Sequence, residues 1–235
     1  MYTANTTRIW LLTLAALLLF IGNAQASASI PEVMLDSISK EVIAKLKSER
    51  EHVREKPEHL FDVVENVLIP HVDMLNMSRW VLGKHWRDAS PAQQERFVAE
   101  FKTLLVRFYV AALLDDPNEL DNLIAANEEK PLITFMASNT PDDAKQAMVR
   151  SSVNVPNGPA IPVTFRMYRA KPGDEWKVID VTVDGISLVT NYRSTFDSEI
   201  NKDGLQATID SLAARNQELL EKARNGNIAS EKTTQ

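Results

Sequence analysis

The chain has 235 residues, 44% of them apolar and 25% charged, with a formal net charge of −6 and no cysteine. This composition supports a globular core. The acidic balance argues against a nucleic-acid partner held through phosphate contacts, and the missing cysteine excludes a disulfide framework and an acylated lipoprotein. One domain over residues 29–224, followed by a polar, disordered tail at 225–235, is the expected organisation.

Residues 1–26 read as a secretory signal peptide. Arg8 supplies a basic n-region, "IWLLTLAALLLFI" is an apolar run shorter than the roughly 20 residues of a spanning helix, and "NAQASA" offers small residues at cleavage spacing. Cleavage is expected after Ala26 or Ala28. Export of a cysteine-free chain points to the bacterial periplasm, where no ATP or nicotinamide pool exists, so kinases, NTPases and dehydrogenases are disfavoured.

The first half of the remaining chain reads as helices. Ser29 as cap and Pro31 in the first turn open one with a stripe of Leu35, Ile38, Val42 and Leu46. A second follows Pro57 with Leu60, Phe61, Val64 and Leu68 on one side, and a third runs from near Asp73 to Gly83. The fourth is the longest: Ser90, Pro91 and Gln93 form a capping box, and Phe97, Phe101, Leu104, Leu105 and Phe108 make a continuous apolar face. Val98, Val106, Tyr109 and Val110 widen that face, as in a helix enclosed on more than one side.

Residues 115–131 read as a polar linker, after which the pattern changes to four β-rich runs: "LITFMAS", "KQAMVRSSVNV", "AIPVTFRMYRA" and "DEWKVIDVTVD". Alternation places Ala147, Val149, Val153 and Val155 on one face, and Ile161, Val163, Phe165 and Met167 on another. In the last run the phase slips between Trp176/Val178 and Ile179/Val181/Val183, which predicts a bulge near 178–179. Two helices close the chain, one from Gly185 to about Asn201 and one from Asp203 onward. The predicted fold class is therefore α+β: helices packed on a curled four-stranded antiparallel sheet that encloses an apolar cavity.

A catalytic centre is hard to assemble. Gly185-Ile186-Ser187 resembles a nucleophile elbow, but Val189 takes the place of its last glycine and all four histidines lie upstream. Ser187 or Asp184 is better read as a helix cap. No P-loop, zinc motif or dinucleotide fingerprint occurs, so no metal and no cofactor is expected. Asp180 and Asp184 could share a strand face as an acid–base pair, although nothing resembling a substrate clamp accompanies them.

With chemistry set aside, apolar surface remains. The segments "VLGKHWRDASPAQQERFVAEFKTLLVRFY", "VNVPNGPAIPVTFRMYR", "EWKVIDVTVDGISLVTNYRSTF" and "DGLQATIDSL" resemble the MlaC family of periplasmic phospholipid-binding proteins, the toluene-tolerance family, over roughly residues 32–215. The resemblance implies a shape akin to nuclear transport factor 2 and cystatin. It also implies a non-enzymatic carrier that sequesters the acyl chains of a diacyl phospholipid. Such a carrier shuttles lipid between an outer-membrane lipoprotein complex and an inner-membrane ABC transporter complex, maintaining outer-membrane lipid asymmetry, and a monomer is expected. Side-chain phase nominates the lipid-binding residues: Phe97, Phe101, Leu104, Leu105 and Phe108 from the long helix, Val149, Val153, Phe165, Met167, Val181 and Val183 from the sheet, and Leu188, Val189 and Tyr192 from the closing helix. About half of these are expected to be plain core. A carrier of another apolar lipid, such as a hopanoid, and a cavity-type enzyme with an inward acid are the competing readings.

Overall fold

A computed structural model describes residues 30–56, 59–114, 119–154 and 158–224. The expected signal peptide, the Ser29 cap and the 225–235 tail lie outside them. The described residues are α+β, with nine helices and a five-stranded antiparallel sheet.

Helix α1 (Pro31–Ser48) begins with proline in its first turn, where a missing N–H costs nothing, and buries Leu35, Ile38 and Leu46. Next come α2 (Arg50–Glu55) and α3 (His59–Val67). The buried face of α3 is Leu60, Val63 and Val67, so the expected stripe is rotated: Phe61 and Val64 are only half-buried. A single 3-10 turn, Ile69–His71, leads into α4 (Met74–Leu82), whose cap Asp73 accepts the Asn76 N–H at 3.0 Å. Gly83 ends it at φ 55, a left-handed value suited to glycine.

After the short α5 (His85–Asp88) comes α6 (Pro91–Leu114), about 36 Å long at 1.5 Å per residue. Its capping box forms as expected. The Gln93 N–H donates to the Ser90 hydroxyl at 3.3 Å, and Gln93 Oε1 accepts the Ser90 N–H at 3.0 Å.

The linker expected at 115–131 is largely a helix, α7 (Glu119–Glu129). Leu120 and Ile124, one turn apart, are buried beside Val106 and Val110 of α6, while Arg50 and Arg54 of α2 both clasp Asp121. Packing stabilises an element whose acidic composition hid its two-residue apolar stripe.

The sheet runs β1 (Ile133–Phe135), β2 (Gln146–Val153), β3 (Ile161–Tyr168), β4 (Lys177–Val183) and β5 (Ile186–Ser187), each paired with its sequence neighbour. The fifth strand was not anticipated. Asp184 (φ 48) and Gly185 (φ 83) both have positive φ, which makes them a two-residue type I′ hairpin turn that returns the chain along β4 before any helix begins. The bulge is where the phase slip put it. Arg166 faces Asp180 and Met167 faces Val178, which leaves Ile179 as the extra residue.

Two further helices, α8 (Leu188–Asp203) and α9 (Leu205–Arg224), lie alongside α4 and α6. Among the described residues, buried apolar side chains form three clusters. One joins α4, α6, α8 and α9; a second joins α1, α2, α3, α6 and α7; the third joins the sheet to Leu35 of α1. Half-buried Ile69 touches the first and second clusters, and half-buried Val72 touches the first and third. The 3-10 turn and the residue after it thus form the junction. The junction is fixed to the sheet by the Asp73 N–H, which donates to the Val178 carbonyl at 2.9 Å.

Candidate functional site

The sheet has two chemically different faces. Strand register places Val149 opposite Phe165 and Phe165 opposite Val181, with Ala147, Met167 and Val178 in the next row and Ser151, Val163 and Val183 in the row on the other side. Directly paired residues share a face, so these rows form one surface that is apolar except for Ser151. The Ser151 hydroxyl is satisfied by the Val163 carbonyl at 3.0 Å. Leu35 packs on this inner face, and Glu32 of the same helix accepts both the Ser138 N–H and its hydroxyl. Burial raises the Glu32 pKa, but the two Ser138 bonds outweigh it and hold the carboxyl below its ordinary value. Phe135, Phe165 and Val181 remain half-buried beside the third cluster.

The opposite face carries Met148, Arg150, Thr164, Arg166 and Asp180. Asp180, whose orientation the sequence left open, is buried on this face rather than the apolar one. Its carboxylate accepts the Arg166 guanidinium at 3.0 Å, the Ser187 hydroxyl at 2.7 Å and the Val189 N–H at 3.1 Å. Arg166 also lies over the Trp80 ring, 4.7 Å from its centroid, and Arg193 Nε donates to the Trp80 carbonyl at 2.6 Å. These contacts clamp the N-terminus of α8 and the end of α4 to the sheet.

Ser187 is the α8 cap: its oxygen accepts the Thr190 N–H at 3.1 Å while its proton goes to Asp180. Its hydroxyl is committed to structure, its partners being Asp180 and the Thr190 N–H rather than a histidine. Asp184 sits in the hairpin turn with positive φ and is exposed, so it makes no acid–base pair with Asp180. Among the described residues, no three His, Asp or Glu side chains converge as metal ligands.

The nominated residues whose side chains are described fall in more than one cluster. Phe97, Phe101, Leu105 and Val189 belong to the all-helical cluster, with Leu104 and Tyr192 at its margin. Phe97 meets Phe196 edge to face at 5.1 Å and Phe101 meets Tyr192 likewise at 5.3 Å, which is ring packing of a closed core. Val149 and Met167 are fully buried in the sheet cluster, with Phe165 and Val181 at its margin. Val153 and Leu188 are half-buried, Val183 is 37% exposed, and the Phe108 side chain lies outside the described residues. Strand β5 intervenes between the nominated residues of β4 and those of the closing helix. The extra strand sets Ser187 opposite Thr182, so the chain enters α8 on the Asp180 side, and Val189 packs away from Val181. Phe135 and Leu35 join the inner face without having been nominated. A three-residue strand shows no alternation, and Leu35 looks like any other helix-stripe residue.

Two grooves open elsewhere. One of about 570 Å³ lies between α5, the start of α6 and the α8–α9 junction, and one of about 360 Å³ lies beside Met136, Met148 and Arg150. Among the described residues, no nominated one lines either groove.

Comparison with known proteins places this architecture. Residues 36–214 match the family model described as MlaC protein. Toluene tolerance protein ttg2D of Pseudomonas putida is 30% identical over 190 residues, covering 80% of this chain and 81% of that protein. The intermembrane phospholipid transport system binding protein MlaC of Haemophilus influenzae is 23% identical over 200 residues, covering 85% of this chain and 88% of that one. A solved structure, the phospholipid-binding protein from Ralstonia solanacearum in complex with a phospholipid, superposes with a TM-score of 0.66 at 23% identity. It spans 82% of this chain and 99% of its own, and at that identity it establishes a shared fold.

Proposed function

The chain belongs to the MlaC family, and from that premise we propose that it is a periplasmic carrier which holds the acyl chains of a diacyl phospholipid against the inner face of its sheet. The signal peptide exports it. It then works as a monomer without catalysis, moving lipid between an outer-membrane lipoprotein complex and an inner-membrane ABC transporter complex, and so maintains outer-membrane lipid asymmetry.

One observation carries the reading. Phe135, Phe165 and Val181 stand on an apolar sheet face, beside a cluster that, among the described residues, shares only Val72 with another cluster. A domain of this size ordinarily merges its apolar residues into one core. An interior split around half-covered aromatic and branched side chains leaves apolar surface for a partner that is itself apolar. The energetic need is large. Two acyl chains of ordinary length in water cost on the order of 20 kcal/mol at ~0.8 kcal/mol per CH₂. Loose selectivity follows, because one chain resembles another and the headgroup stays in water. The lining residues within this proposal are Phe165, Val181 and Val183, with Val153 farther out on the same face; Leu104 and Tyr192 edge the helical cluster instead. Phe97, Phe101, Leu105 and Val189 serve as core.

The test is direct. Protein released from the periplasm without detergent is extracted with organic solvent, and the extract is analysed by mass spectrometry. Diacyl phospholipid in about one-to-one amount is expected. A different apolar lipid would redirect the reading, and a lipid-free extract would overturn it.

A further inference from the structure

The inner face does not end in a polar border. Val163 is 6% exposed, its register partner Val183 is 37% exposed, and Ile186, paired with Val183 across the type I′ turn, is 64% exposed. All three lie on the Phe165/Val181 face, so the apolar surface runs outward without interruption to the tip of the β4–β5 hairpin. Next to it the outermost row of the same face is Ile133, Val153 and Ile161, all half-buried.

The chain around the outer ends of β2, β3 and the β4–β5 hairpin also carries few ionisable residues. From Ser151 to Phe165 no residue is ionisable, and between Val181 and Leu188 only Asp184 is, in a chain that is 25% charged. The two stretches meet in space, because the Asp184 N–H donates to the Pro162 carbonyl at 3.0 Å. Exposed apolar side chains on a hairpin tip whose one charge is Asp184 in the turn need a reason.

We infer that this apolar end is the mouth through which acyl chains enter and leave, with Val183 and Ile186 as its lip. The inference rests on the reading that the inner face holds acyl chains, and it adds the path. A chain sliding off Phe165 and Val181 toward a membrane or a receiving protein exposes methylene groups to water unless apolar surface accompanies it. The row Val163, Val183, Ile186 supplies that surface up to the edge of the molecule. A charge placed there forces the chain past a hydrated group and raises the barrier to transfer, while the resting site deeper in the sheet is unchanged.

Met148 provides the control. It is 62% exposed, nearly as much as Ile186, but it pairs with Arg166 on the opposite face. The experiment uses the full mature protein, stripped of lipid, and phosphatidylglycerol–phosphatidylethanolamine vesicles carrying a phospholipid with a fluorescent tail. The rate of transfer and the final amount bound are both recorded. Ile186→Asp is expected to slow uptake and release about tenfold or more, with final occupancy within about twofold of wild type. Met148→Asp is expected to match wild type, and the milder Ile186→Ser to fall between. Ile186→Ser also covers any loss of the aspartate variant to misfolding. Wild-type rates for both Ile186 variants, equal slowing by Met148→Asp, or lost occupancy at an unchanged rate would each overturn the inference. Failure of the wild-type protein to take up any lipid would instead sink the carrier reading on which it stands.

Discussion

Asp180 and Ser187 show how a residue that looks chemical can be structural. Asp180 is 4% exposed and spends its lone pairs on Arg166, Ser187 and the Val189 N–H, three partners drawn from two strands and a helix. Ser187 in turn holds the first turn of α8. Ser187→Ala removes a cap and one bond to a buried carboxylate, and about 1–2 kcal/mol of stability should go with it in urea denaturation. Lipid content should be unchanged, whereas a nucleophilic serine would predict an acyl adduct or an esterase activity that the alanine variant loses. The capping role was legible from Ser187 preceding an apolar run. The orientation of Asp180 was not, because the bulge at Ile179 breaks the alternation right beside it, and parity alone cannot say which of the two phases faces the helices.

At the scale of elements, charged clasps tie helices to one another where apolar contact is thin. Asp197 of α8 receives His85 at 2.8 Å and Lys84 at 3.0 Å, joining it to α5 and the residue before it. The His85 hydrogen bond, then the one from Lys84, holds the Asp197 carboxyl below its ordinary value, and the Arg50 and Arg54 guanidiniums do the same to Asp121. A carboxyl with a depressed native pKa stabilises the fold fully above its unfolded pKa, near 4, and that contribution is lost as pH falls through the native value. Thermal unfolding followed from pH 7 to 2.5 should therefore show the melting temperature falling below about pH 4. Asp197→Asn should lower the plateau slightly and flatten part of that acid limb. An unchanged acid limb in this variant would show that the clasp contributes nothing. The helix boundaries were legible wherever a cap or proline marks them, as at Ser90-Pro91 and Asp73. Helix α7 was not, because Leu120 and Ile124 pack on Val106 and Val110 of a helix, ten or more positions away, and Asp121 meets two arginines about seventy positions away, partnerships absent from local pattern.

For the whole molecule, the informative feature is the division of its apolar side chains among three clusters. Sequence pattern marks Phe97 and Phe165 equally as inward-facing, and both are inward. The difference lies in what meets them: Phe97 is sealed by Phe101 and Phe196, whereas Phe165 keeps part of its ring uncovered on the sheet. Periodicity records the need for an apolar neighbour without recording whether the neighbour is protein or ligand, so the fold class was readable and the lining was not. The carrier account depends on Phe165 touching lipid. The measurement that tests it most directly is the phospholipid content, per mole of folded protein purified from the periplasm without detergent, of Phe165→Asp beside wild type and Met148→Asp. The account predicts that Phe165→Asp is exported and folded yet loses most of its phospholipid, while Met148→Asp keeps it. A folded Phe165→Asp protein that retains one phospholipid per chain would contradict it.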